Sequence, residues 1–278
     1  MNIALNIELA AKAIRKADAL LICSGAGMGV DSGLPDFRGN EGFWKAYPPI
    51  AKLGLSFSEM ANPIWFFNQP KLAWAFYGHR LNLYRNTIPH SGYTQLLEMG
   101  KRMKHGYFVY TSNVDGQFQK AGYDEQRIKE CHGSIHHLQC TKPCCNSIWS
   151  ASEIDIQIDE SIFETTSPLP YCPNCGALTR PNILMFGDWH WLANRVDEQN
   201  ENFANWLSQI ESGKLAIIET GAGKAVPSVR NKSEFIAKKM ESTLIRINTR
   251  DFDVPHGNIS INTGAKDGIN QIFLKIQD

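Results

Sequence analysis

Five short apolar runs, each broken off by small or polar residues, constrain this chain more than any other feature. Ala19-Leu20-Leu21-Ile22-Cys23 stops at Ser24-Gly25-Ala26-Gly27, and Tyr107-Phe108-Val109-Tyr110 stops at Thr111-Ser112-Asn113. Leu215 to Ile218 ends in Glu219-Thr220-Gly221-Ala222-Gly223, Thr243 to Ile247 ends in Asn248-Thr249, and residues 258–262 end in Thr263-Gly264-Ala265. Runs that are apolar throughout, separated by helical periodicity such as Ile7, Ala10, Ala11 and Ile14, belong to a parallel sheet covered on both faces. The fold expected is α/β and doubly wound, and ligands of such sheets bind beyond the carboxyl ends of the strands, where the small residues gather. Two stretches interrupt the pattern: 43–99, rich in aromatics and mainly helical between prolines, and 135–182, which carries most of the cysteines.

The balance of the chain narrows its partners. With 28 basic and 28 acidic side chains in 278 residues there is no net charge to attract a nucleic acid backbone. No apolar run approaches the length of a membrane span. The first residues lack the charged-then-apolar pattern of a secretory leader, so a reducing, cytoplasmic location is expected; a monomer is expected as well. Five of the seven cysteines (Cys140, Cys144, Cys145, Cys172, Cys175) crowd into 36 residues, which in such a location reads as a metal site before a disulfide framework.

Cys172-Pro173-Asn174-Cys175 has the two-residue gap that lets both thiolates reach one tetrahedral zinc. Cys140 pairs with Cys144 across three residues or with Cys145 across four, and both gaps occur in zinc sites. Cys144 is preferred because residues 145–148 then start the next segment, though the spacing leaves Cys145 open.

Gly25-Ala26-Gly27-Met28-Gly29 follows a strand and is placed to open a helix, where backbone N–H groups approach a pyrophosphate. The dinucleotide fingerprint is incomplete, since position 30 is Val30. Asp31-Ser32-Gly33-Leu34-Pro35-Asp36-Phe37-Arg38-Gly39 follows at once. Further on come Thr111-Ser112-Asn113-Val114-Asp115, then Cys131-His132-Gly133, then Arg180-Pro181-Asn182-Ile183-Leu184-Met185-Phe186-Gly187-Asp188. In this order, over nearly the whole chain, these motifs resemble the sirtuin family of NAD-dependent protein-lysine deacylases.

That resemblance implies a Rossmann-like domain formed by 1–42, 100–134 and 186–278. A smaller domain would combine a helical module, 43–99, with a zinc module, 135–185. It implies two cofactors: NAD as co-substrate, and a structural zinc on Cys140, Cys144, Cys172 and Cys175. NAD would contact Gly25, Ala26, Gly27, Met28, Asp36, Phe37, Arg38, Ser112, Asn113, Asp115, Gly221, Gly223, Asn248 and Ala265. His132 would accept a proton from a ribose hydroxyl, as a group titrating near neutrality can, with Asn113 and Asp115 completing the catalytic set. Acylated-lysine proteins or peptides would pair with Met185, Phe186 and Gly187, yielding free lysine, nicotinamide and O-acyl-ADP-ribose.

Tyr77 and Arg80 lie three apart on one helix face and match the Tyr-x-x-Arg pair of sirtuins that accept succinyl- or malonyl-lysine. An ordinary amphipathic helix with Arg80 at the surface would give the same spacing. Ser112 in place of the family's glutamine, Gly221-Ala222-Gly223 in place of its GTS, and Trp189-His190-Trp191 depart from the pattern. They keep two alternatives in view: an NAD hydrolase or mono-ADP-ribosyltransferase on the same fold, and a non-catalytic sensor of NAD or ADP-ribose.

Overall fold

A computed structural model describes residues 2–277 except 37, 38 and 143. In chain order its strands are β1 (Ala19–Ser24), β2 (Tyr107–Thr111), β3 (Ile128–Glu130), β4 (Gly133–Cys140), β5 (Trp149–Ser150), β6 (Ile158–Asp159), β7 (Glu164–Thr165), β8 (Thr179–Ile183), β9 (Leu215–Thr220), β10 (Thr243–Ile247) and β11 (Ile259–Ile261). Six of them form one parallel sheet in the order β11-β10-β9-β1-β2-β3. Counted along the sheet, that is the dinucleotide-binding order, with its reversal between β1 and β9.

The apolar runs are continuous because consecutive side chains enter different cores. Leu20 and Ile22 pack under the helices Ile3–Lys16, Ser91–Lys101 and Ala265–Gln277. Ala19, Leu21 and Cys23 face the helices Asn194–Leu207 and Ser228–Lys239. Every residue of β1 is buried, and each large side chain so removed from water contributes ~1.5–3 kcal/mol. The sixth strand, β3, has no apolar run to announce it. Its sequence is Ile-Lys-Glu, and as an edge strand it pairs only with β2.

The second unit has its own core, in which Phe43, Tyr47, Trp74 and Phe76 are buried with ring centroids as close as 5.1 Å. Helix Pro70–Asn86 runs through it, started by the proline at its first position. Strands β5-β4-β8 form an antiparallel sheet beside it. One boundary moves. Residues 91–99, assigned from sequence to the helical module, belong to helix Ser91–Lys101, whose Tyr93, Leu96, Leu97 and Met99 pack on the main sheet instead. Among the described residues no helix is long and apolar enough to cross a membrane.

Candidate active site

At the reversal between β1 and β9 the loops that follow both strands interlock. Gly25 N–H donates to the Thr220 carbonyl (3.0 Å), and Gly27 N–H to that of Gly221 (3.1 Å). Gly221 has φ +62°, and a Cβ there would lie 2.3 Å from Met28 N; one on Gly25 would lie 2.8 Å from the Gly221 oxygen. Only glycine allows this approach, so these glycines serve loop packing as well as any ligand. The helix expected after the glycine loop is absent. Two 3-10 turns, Ala26–Met28 and Val30–Ser32, take its place, so no long helix dipole points at this spot. Met28 is not at the surface of the loop: its side chain is fully buried in the main core, with its sulfur 3.2 Å from Thr220 Oγ1.

Two hollows flank the interlocked loops. The smaller, about 80 Å³, is lined by Gly27, Asp36, Gly221, Asn248 and Ala265 among others. Asn248 knits its floor together, donating to the Ala222 carbonyl and accepting from the N–H groups of Arg250 and Asp251. Asp36 pairs with Arg250 at 2.8 Å across its mouth. Phe37 and Arg38, singled out from sequence for the cofactor, lie outside the described residues.

The larger hollow, about 480 Å³, brings together Gly25, Ala26, Ser112, Asn113, Asp115, His132, Gly221 and Gly223 from the main sheet. From the smaller unit it receives Tyr77, Arg80, Met185, Phe186 and Gly187. His132 is fixed at its backbone from both sides. Its carbonyl accepts from Leu184 N–H (2.9 Å), and the preceding Cys131 N–H donates to the Thr111 carbonyl (2.8 Å). Gly133 is required here too: with φ +78°, a Cβ would meet the Asn182 oxygen at 2.1 Å. Burial holds the His132 imidazole below the ordinary histidine range, so it is a neutral proton acceptor at pH 7. Its Nε2 lies 3.2 Å from Ser228 Oγ, at the start of helix Ser228–Lys239. Nothing in the sequence linked these two residues, which are 96 positions apart.

Asn113 Nδ2 donates to the Gly25 carbonyl (3.1 Å), tying the β2 loop to the glycine loop. Asp115 is buried, and its Oδ1 accepts from Gln117 N–H at 2.9 Å, as a turn-forming aspartate does. Burial pushes its carboxyl up to about 6, against the pull of that N–H group; Glu130 adds to the rise and Arg80 opposes it. A folded-state value above the ordinary 3.8 means that ionised Asp115 costs stability, and the cost grows as pH rises through about 6. Asp115→Asn keeps the acceptor and removes the charge. It is expected to stabilise the fold by roughly 3 kcal/mol at pH 7, the gain shrinking as pH falls toward 4. Thermal melts of both proteins across that range check this; a variant no more stable than wild type at pH 7 would show that the buried charge is not costly.

Arg80, which also lines the hollow, is not at the surface, the alternative that its spacing left open. It is 6% exposed, with its guanidinium carbon 5.3 to 5.8 Å from the ring centroids of Phe76, Tyr77 and Tyr84. The Tyr77 hydroxyl is buried with no hydrogen-bond partner among the described residues. Tyr84, one turn beyond Arg80, also lines the hollow, and the four-residue spacing could have marked it.

The stretch expected to pair with a peptide is mostly committed elsewhere. The β8 ladder stops at Ile183, and Leu184 and Phe186 spend their N–H groups on the carbonyls of His132 and Ala61. Gly187 turns the chain with φ +68°, and Asp188 forms a buried two-point ion pair with Arg180 (2.6 and 2.9 Å). Met185 is buried, which leaves Phe186 and Gly187 as the accessible part.

Cys140, Cys144, Cys172 and Cys175 hold their sulfurs within 4.8 Å of one another, with the pairs 140–175 and 144–172 at 3.6 and 3.7 Å. A tetrahedral zinc with sulfurs at ~2.3 Å places them ~3.8 Å apart, so the four fit the metal. Cys145 lies 3.6 Å from Cys144 but outside the group of four.

The model of the Sir2 family matches residues 25–211. Among curated relatives, the NAD-dependent protein deacylase of Aquifex aeolicus is 31% identical over 259 residues, covering 91% of this chain and 93% of its own. The protein of the same name from Pyrococcus abyssi is 34% identical over 241 residues, covering 87% and 86%. The crystal structure of a Sir2 homologue–NAD complex superposes with a TM-score of 0.71 at 24% identity, covering 97% of this chain and 93% of that one, a likeness of fold. The motif order, the strand order and these matches agree: the chain belongs to the Sir2 family.

Proposed function

We propose that this protein is an NAD-dependent deacylase that removes acyl groups from lysine side chains of proteins or peptides. The observation that carries the reading is His132, a half-buried neutral imidazole in the hollow that also receives Asn113, Asp115 and both glycine loops. NAD supplies an anomeric carbon that can pass from nicotinamide to the oxygen of an acyl-lysine amide. The chain's own residues provide the rest. The smaller hollow, with Asn248 and Ala265, suits the adenosine end; Gly221 lines both hollows, and Gly25 and Ala26 line the larger one. Asp115, with Asn113 beside it, offers a carboxylate to an amide donor such as that of nicotinamide. His132 would take the proton from a ribose hydroxyl, which frees that oxygen to receive the acyl group, and one water is consumed as the lysine amine is released. The acyl-lysine enters over Phe186 and Gly187. The zinc fits a structural role, because four thiolates leave no open position for a substrate.

The acyl group we assign is one that ends in a carboxylate. Arg80 is buried in the lining of the hollow near Tyr77, whose hydroxyl has no hydrogen-bond partner among the described residues, and a guanidinium with a neighbouring hydroxyl suits that anion. Lysine peptides carrying acetyl or succinyl groups are expected to lose them only when NAD is present, with succinyl favoured. Arg80→Met should reverse the preference by ~10-fold or more, the worth of a hydrogen-bonded charge. Equal losses on the two peptides would remove the acyl assignment, and no loss of either acyl group from wild type would remove the deacylase reading.

A further inference from the structure

Helix Pro70–Asn86 sets three polar side chains on one face at seven-residue reach: Tyr77, Arg80 and Tyr84. All three line the larger hollow and all are nearly inaccessible. An arginine with several rotatable bonds does not hold one direction unaided, and a loosely held guanidinium loses binding energy when a ligand fixes it. Here Tyr84 supplies the restraint. Its hydroxyl oxygen accepts from both Nε (3.1 Å) and Nη2 (3.0 Å) of Arg80.

Two bonds from one edge of the guanidinium to one oxygen define its plane. The opposite edge, Nη1 with the second Nη2 hydrogen, then faces away from Tyr84, and that edge can grip the two oxygens of a carboxylate. Tyr84 is itself held firmly, since its backbone carbonyl accepts from Gln117 Nε2 at 3.0 Å. Gln117 in turn gives its N–H to Asp115, so Arg80, Tyr84 and Asp115 share one framework. Burial pushes the Tyr84 hydroxyl above its ordinary range, so it remains a neutral phenol at pH 7. A phenol orients the guanidinium without cancelling its charge, which an acidic partner in the same place would do. It also keeps its own proton to donate.

We infer that Tyr84 is a positioning residue for acyl selectivity, holding Arg80 in the orientation that binds a carboxylate-ended acyl chain. This rests on the assignment of acidic acyl-lysine as substrate, so the test carries both variants. Steady-state kinetics of wild type, Tyr84→Phe and Arg80→Met are compared on otherwise identical succinyl- and acetyl-lysine peptides. Phenylalanine keeps the ring and removes only the hydroxyl, and the acetyl reaction serves as the internal control for folding.

Tyr84→Phe is expected to lower the succinyl-to-acetyl ratio of kcat/KM about tenfold, as for the loss of hydrogen bonds to a charged group, chiefly through KM for the succinyl peptide. Arg80→Met should lower that ratio at least as far. If Arg80→Met collapses the ratio while Tyr84→Phe leaves it unchanged, or lowers both reactions equally, Tyr84 is not a positioning residue. If Arg80→Met leaves the ratio unchanged, the acidic-acyl assignment fails, and the role of Tyr84 within it fails too.

Discussion

His132→Ala is expected to lower acyl transfer from lysine by ~100- to 10,000-fold, the usual worth of a positioned general base. Exchange of labelled nicotinamide into NAD should persist in the same variant. The distinction follows from where the proton is. His132 is placed to deprotonate a ribose hydroxyl, and departure of nicotinamide from the anomeric carbon does not need that proton removed. Burial lowers the affinity of the imidazole for a proton, so it stays deprotonated somewhat below its ordinary 6.5, and the wild-type rate should hold down to mildly acidic pH. Deacylation by His132→Ala at the wild-type rate would remove His132 from the mechanism. Loss of exchange together with deacylation would point to a collapsed site instead.

Removing zinc should have an effect of similar size on a different property. Four thiolates from two short segments, 140–144 and 172–175, converge, and zinc would cross-link the end of β4 and the loop after it to the turn at residues 172–175. In isolated zinc peptides such a site contributes about 10–16 kcal/mol at pH 7. Cys172→Ser is therefore expected to lose bound zinc and to melt the sheet β5-β4-β8. The main sheet, with separate cores on its two faces, should keep most of its secondary structure. Metal analysis and circular dichroism of the variant check this. One equivalent of zinc and an unchanged melting curve would show that Cys172 is not a ligand. Because β4 begins at the residue after His132, and β8 ends just before Leu184, which bonds to it, loss of zinc should also abolish deacylation.

The five strands that carry apolar runs were legible because parallel strands covered on both faces are apolar at most positions. The edge strand β3 was not, since Ile-Lys-Glu meets no such demand. The glycine loop was legible as a loop, but its reason was not: Gly25 and Gly221 answer to each other across the sheet, 196 positions apart, rather than to a helix that follows. A separation of 96 positions likewise hid Ser228 from His132. Spacing alone put Tyr77 and Arg80 on one face, yet could not say whether that face was wet. Burial among Phe76, Tyr77 and Tyr84 decides it. Two cysteine gaps were equally allowed by chain length, and it is Cys144 whose sulfur joins the other three. Residues 185–187 lie beyond the end of β8, where Gly187 turns the chain and Asp188 pairs with Arg180, neither of which the motif alone discloses.

The most direct measurement is the stoichiometry of products by mass spectrometry when wild-type protein, NAD and an acyl-lysine peptide react to completion. One O-acyl-ADP-ribose and one free lysine are expected for each nicotinamide released. Nicotinamide with free ADP-ribose or ADP-ribosylated protein, and the peptide still acylated, would contradict it.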